Sequence, residues 1–295
     1  MRPSLLIAIL LSVVLLGAAA GCTPLAVATK MPLTAPPTVQ DGVVLDVLYV
    51  RFPPNDPQMN ETVWQEIDEL HLPADVRRRL EANGLRVGLI SGPLPIALEE
   101  RLDLQEKPAT DADLKPLDVD DPTTVRRRQL HVRGGKKSNI LVLGERERRS
   151  ELSVLLRNDD GRVEGRTYRH VLGLFAAKAF PQGNGTVTLD LVPELEHGDS
   201  QKRFVPGDGM FRVEFGPPHE VFHQLRCEME LAPGQMLAVT SLPSKPGSLG
   251  YQFFHEKDGD LNVQKMLLVR LARSTLDDRF DDSARTAAPA DGAKK

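Results

Sequence analysis

Aromatic residues make up only 5% of the chain, with Trp64 the single tryptophan. Cysteine is nearly absent as well, since Cys22 and Cys227 are the only two in 295 residues, and neither sign of charge dominates, the formal net charge being -4. So even a balance lacks the basic field that nucleic-acid binding requires, and two cysteines cannot staple a disulfide-dependent scaffold. The sequence also has no G-x-S-x-G elbow, no P-loop and no G-x-G-x-x-G turn, which removes the commonest signatures of hydrolases, phosphate binders and dinucleotide enzymes. What is present is a 41% hydrophobic fraction, enough for a packed core, together with 23 glycines and 23 prolines. That combination favours turn-rich β structure over long helices.

The N-terminus reads as a targeting signal. Arg2 supplies a minimal positive region, Leu5 to Leu16 an apolar run broken only by Ser12, and Gly17 to Gly21 a set of small residues before Cys22. Ala19-Ala20-Gly21-Cys22 resembles the lipobox of bacterial lipoproteins, although Ala19 stands where leucine is commonest. The resemblance implies that Cys22 is lipid-modified and becomes the new N-terminus, and Thr23 after it implies the outer membrane. Cleavage after Ala20 is the alternative, because Ala18 and Ala20 also form an A-x-A site. If Cys22 is acylated, Cys227 has no partner, and its neighbours Leu225 and Met229 make it a small buried hydrophobe.

The expected organisation is α+β. A signal peptide (residues 1–21) and a Pro/Thr/Ala-rich tether (22–41) precede a small β-α-α-β domain (42–102), an acidic linker (103–124), a larger antiparallel β domain (125–273), built as a sandwich or barrel-like sheet, and a disordered tail (274–295). In the small domain Val43 to Phe52 is a strand and Asn60 to Leu70 a helix carrying Val63, Trp64, Ile67 and Leu70 on one side. Pro73 opens a second helix that stops at Asn83-Gly84, Leu85 to Ile90 is a strand, and Ile96 to Leu102 is a short helix. Trp64 is expected in the core, and Arg77-Arg78-Arg79 fan around their helix as a solvated face. In the larger domain, hairpins are expected around Arg133 to Lys137 and around Asn158 to Gly161, with further strands at Val171 to Phe180, Gly185 to Leu195, Met210 to Phe215, Val221 to Leu231, Gln235 to Ser241, Tyr251 to His255 and Val263 to Arg273. The basic cluster Arg126, Arg127, Arg128, Arg133, Lys136 and Lys137 reads as the outward face of a hairpin, with anionic lipid headgroups or a partner as the alternative.

One motif could carry metal chemistry. His219-Glu220-Val221-Phe222-His223 fits the H-E-x-x-H pattern of zinc peptidases, with His219 and His223 as ligands and Glu220 as base. On a helix the two histidines share a face; on a strand they stand about 13 Å apart at roughly 3.3 Å per residue and cannot share an ion. The period decides for a strand, since Val221, His223, Leu225, Cys227, Met229 and Leu231 fall on one face, with Phe222 the only exception to the alternation. The next histidine is His255, and Glu256 is a conceivable third ligand with no helical pattern around it. No catalytic residue, cofactor or metal is therefore assigned.

Four later segments resemble, in order, elements of the C-terminal domain of bacterial secretins, the ring-forming outer-membrane channels. They are Gly185 to Glu194 with its V-P-E ending, Pro233-Gly234-Gln235 entering an apolar strand, Pro246 to Phe254 as a P-x-x-L-G-x-x-F element, and Gln264 to Leu271. Thr240-Ser241 replaces the family's Gly-Leu, and the last strand ends in Ala272-Arg273 rather than Thr-Pro. The resemblance implies a related β fold and an oligomeric outer-membrane transport component. Together these readings predict a lipid-anchored, periplasm-facing envelope protein with a non-catalytic structural, assembly or binding role. Its partners would be the membrane through Cys22 and a second copy or another envelope protein.

Overall fold

The computed structural model describes residues 42–103, 126–144, 148–158, 160–206 and 211–275. The expected signal peptide, the tether with Cys22, the alternative cleavage site at Ala20, nearly all of the linker and most of the tail lie outside these residues. Among the described residues no helix is long and apolar enough to cross a membrane, which says nothing of strands.

The β-branched run β1 (Gly42–Phe52) lies antiparallel between β3 (Arg126–Arg133) and β14 (Leu261–Thr275). On its other side β14 pairs with β12 (Met236–Ser241), and β12 pairs with β2 (Leu85–Ile90). The short β13 (His255–Asp258) folds back on the start of β14, completing a sheet of order β2-β12-β14-β1-β3. The elements expected as a separate domain at 42–102 thus share one sheet with strands from the far end of the chain. Local pattern reveals that β1 and β2 are strands, but their partners are set by long-range pairing that no local period encodes.

The second sheet has the order β10-β7-β6-β4, from β10 (His219–Val221), β7 (Val187–Glu196), β6 (Val163–Pro181) and β4 (Ser138–Leu143). β11 (Cys227–Leu231) also pairs with β7, and β5 (Arg149–Arg157) with β6. β6 is 19 residues long and changes partner along its length, from β5 at residues 163–171 to β4 at 173–177. His170 sits at that change with a φ of 51°. β8 (Gln201–Pro206) and β9 (Phe211–Gly216) form a separate two-stranded ribbon. The sheets are antiparallel and not closed into a barrel, so the α+β expectation holds with the sandwich as its architecture.

Side-chain parity divides the core into two layers. Val43, Leu45, Val47 and Tyr49 of β1, with Leu267, Val269 and Leu271 of β14, pack against Val154, Phe175, Ala177, Leu189 and Leu231 of the second sheet. Leu48, Val50 and Phe52, with Met266 and Leu268, face the opposite way onto Met59, Val63, Trp64, Ile67 and Leu98. The first sheet is therefore buried on both faces, by the second sheet and by a layer of short helices. Each fully buried Leu or Val in it contributes about 1.5–3 kcal/mol.

That helical layer departs from expectation. Asn60 to Leu70 is not one helix but a π turn (Gln58–Thr62) and a 3-10 turn (Val63–Gln65). Asp56 accepts from the N–H of Gln58, and the amide of Asn60 turns back to the carbonyls of Pro54 and Asp56 instead of capping forward. Val63, Trp64 and Ile67 are buried as expected, while Leu70 is 78% exposed. Helices α1 (Ala74–Ala82) and α2 (Ile96–Asp103) lie where expected, α1 ending at Asn83 and at Gly84, whose φ is 76°.

Two further expectations are corrected. Arg133 to Lys137 does not close a hairpin: β3 belongs to the first sheet and β4 to the second, and the turn, tied by Gly135 N–H to Ala179 O at 2.9 Å, carries the chain between them. Its local signals, Gly-Gly between apolar runs, suit either connection. Tyr251 to His255 is not a strand, because Ser248 caps a helix, α3 (Leu249–Phe254), by accepting from Tyr251 N–H, and the helix buries Leu249, Phe253 and Phe254.

Candidate functional site

Where β13 folds onto β14, the first sheet carries charges inside its core. Arg51, at the end of β1, bonds Glu256 and also Asp258 at 3.0 Å. Lys265 of β14 donates to Glu256 at 3.0 Å and to the carbonyl of Val142 on β4. Burial pushes the Glu256 carboxyl up, but the charges of Lys265 and Arg51 outweigh it and hold the group below the usual carboxylate range.

A cleft of about 400 Å³ opens beside this cluster, lined by Asn55, Arg149, Tyr251, Gln252, His255 and Lys257 among others. Arg149, first residue of β5, reaches across to α3 and β13, donating to Gln252 Oε1 at 3.3 Å and to the His255 carbonyl at 2.8 Å. Gln252 is fixed by donating its amide to Ser153 O at 2.9 Å. The Tyr251 and His255 rings stack at 3.9 Å and 10°. Burial pushes the His255 imidazole down to about 4, and among the described residues its buried Nε2 has no hydrogen-bond partner. Burial also lowers the pKa of Arg149, opposed by the Glu256 charge.

Of this cluster the sequence offers only Glu256 as a candidate, as a conceivable third metal ligand. The signal that could have found Arg51 and Lys265 is a charge set against an apolar run, Arg51 after V-L-Y-V and Lys265 before M-L-L-V.

The H-E-x-x-H stretch is neither a helix nor one continuous strand. β10 ends at Val221, a 3-10 turn spans His223–Leu225, and β11 begins at Cys227. The break lies at Phe222, the residue that violated the alternation; its ring is 1% exposed and its N–H donates to Pro193 O at 3.0 Å. Burying that ring requires the strand to turn. His219 Nδ1 lies 3.5 Å from Glu194 and Nε2 3.8 Å from Glu196, whereas His223 lies in a groove with Arg79, Arg226 and Glu228. Glu220 pairs with Arg166 on β6, the strand beyond β7. Motif and structure thus give the three residues three different sets of neighbours. Among the described residues no group of three His, Cys, Asp or Glu side chains could hold a metal ion.

Cys227 is buried, and burial together with the Asp190 and Glu228 charges pushes its thiol up to about 12. Trp64 is a core residue with the Arg86 guanidinium 4.2 Å from its ring centroid. Of the three helical arginines, Arg77 pairs with Glu81 and Arg79 with Asp75 along α1. In the basic cluster, Lys137 bonds Glu194, and Arg127 contacts Asp46 at 3.3 Å. The four segments that resemble secretins fall on β7, on the turn into β12, on the turn and helix α3, and on β14.

No family model matches the chain, and none of the curated proteins does. Among solved structures it is similar to the InvG secretin domain β-barrel of the Salmonella SPI-1 injectisome, with 11% identity and a TM-score of 0.25, over 84% of this chain and 66% of that one.

Proposed function

We propose that the protein is a lipid-anchored component of the bacterial cell envelope whose two-sheet unit has a non-catalytic structural, assembly or binding role. The observation that carries this reading is the short apolar run Leu5 to Leu16 followed by small residues up to Cys22. A diacylated and N-acylated Cys22 exceeds the two signals that stable anchoring requires. Residues 23–41, rich in Pro, Thr and Ala, would reach about 60 Å if extended at about 3.1 Å per residue, enough to hold the folded unit clear of the headgroups.

The engagement of the reactive groups supports a non-catalytic role. Cys227 is buried, Glu194 and Glu196 bond Lys137 and Arg148, and Glu256 is held between Arg51 and Lys265. Labelled palmitate is expected to enter the wild type and not Cys22→Ser. Its failure to enter the wild type, or its persistence in the variant, contradicts the anchor. One tightly bound zinc per chain, lost in His223→Ala, contradicts the non-catalytic reading.

A second reading is favoured by the order of the four segments from Gly185 to Leu271, namely a secretin-like oligomer in outer-membrane transport. Detergent-extracted protein that runs as a multimer supports it, and protein that runs only as a monomer counts against it.

A further inference from the structure

The cleft between β5, α3 and β13 has features of a recognition site that the anchor reading does not use. Its volume, about 400 Å³, lies in the range of small-molecule pockets. The stacked rings of Tyr251 and His255 both line it. His255 is more than nine-tenths buried, lines the cleft, and has a ring nitrogen with no partner among the described residues. Such an orphaned group is uncommon in folded proteins and asks for an explanation.

The electrostatics give the sign of the ligand. Among the described residues Arg149 makes its hydrogen bonds to neutral oxygens, Gln252 Oε1 and His255 O. A guanidinium has five N–H donors, so two such bonds leave three for another acceptor. Lys257 adds a second cation to the lining. Among the described residues the one carboxylate lining it, Glu256, is already bonded to Arg51 and Lys265. The cleft therefore presents two cations against a carboxylate that has its own counter-charges.

The geometry is also preorganised. Gln252 is locked by Ser153, and Arg149 is locked by Gln252 and by the β13 backbone, so little side-chain entropy remains to be lost on binding. Planar, forked recognition by arginine suits a carboxylate.

We infer that the cleft formed by Arg149, Tyr251, Gln252, His255 and Lys257 binds a small carboxylate ligand, its carboxylate on Arg149 and its body against the Tyr251–His255 stack. This does not depend on the lipid anchor and stands or falls separately from it. The test is calorimetric titration of the full chain in detergent with benzoate, its neutral isostere benzamide, and inorganic phosphate. Benzoate is expected to bind saturably, with benzamide and phosphate each at least about tenfold weaker, because the forked charged contact is lost or mismatched.

Arg149→Gln is expected to weaken benzoate at least about tenfold. Because Arg149 also braces β13, the exposed Lys257→Glu provides a second variant, with a loss of similar size expected from the reversed charge. Absence of saturable benzoate binding overturns the inference. So does benzamide or phosphate binding as tightly as benzoate, or unchanged benzoate affinity in a folded Arg149→Gln or Lys257→Glu.

Discussion

Lys265 Nζ lies 3.0 Å from Glu256 Oε2, and the lysine side chain is only 3% exposed. A cation sealed inside a sheet that is apolar on both faces depends on its carboxylate for compensation. Removing Glu256 leaves the lysine buried without its carboxylate, at a cost of about 3–5 kcal/mol. Glu256→Gln is therefore expected to lower the urea midpoint strongly. Lys265→Met should lower it less, because Arg51 still pairs with Glu256, and the double variant should lose less than the sum of the two, which a double-mutant cycle measures.

The same region makes stability depend on pH. His255 has a folded pKa of about 4 against 6.5 in the unfolded chain, so between those values the unfolded state binds more protons. Its contribution is complete above pH 6.5 and is lost as pH falls toward 4. The loss is on the order of 2–3 kcal/mol. Glu256, held below its ordinary value of 4.5, adds a second loss at lower pH. Stability curves from pH 8 to 4 should fall across the first window in the wild type and be flatter there in His255→Phe, which keeps a ring against Tyr251.

Cys227, 5% exposed with its thiol pushed up to about 12, should be inert in the folded protein. Iodoacetamide at pH 8 is expected to leave it unmodified without denaturant and to alkylate it fully in urea. Rapid modification of the native protein would contradict its place in the core.

Gly250 packs against Gly84 so closely that a Cβ on Gly250 would come 2.1 Å from the Gly84 carbonyl oxygen. The contact fixes α3 to the end of α1, where Gly250 N–H donates to Asn83 O at 3.0 Å and Asn83 bonds the β5 backbone at Arg157 in both directions. Backbone on both sides leaves no flexible atom to yield. Gly250→Ala should destabilise by about 3 kcal/mol, the upper end for overpacking. An exposed control, Gly92→Ala, meets nothing within 4 Å among the described residues and should be near neutral.

Much of this fold was legible where local chemistry and tertiary demand agree. β1, β2, β12 and β14 carry dense β-branched or apolar runs, and Pro73 and Asn83-Gly84 bracket α1 at its observed ends. The misreadings occur where a distant partner decides. Residues 42–102 looked self-contained because nothing near β1 reveals β14, more than two hundred residues later. β8 carries no clear strand signal, and Tyr251 to His255 reads as a strand because its aromatic content outweighs the Ser248 cap that makes Leu249–Phe254 a helix. In the H-E-x-x-H stretch, the period correctly excluded a helix, and its single violation, Phe222, marked the place where the strand breaks. The cleft was not legible, since Arg149 and His255 lie 106 positions apart and meet only through the pairing of sheets and helix.

Cys22 is the proposed attachment point, and the mass of the mature N-terminal peptide from membrane-extracted protein tests it most directly. The peptide is predicted to begin at Cys22 and to carry a diacylglyceryl group and an amide-linked acyl chain. An unmodified peptide beginning at Gly21, as cleavage after Ala20 would leave, would contradict it.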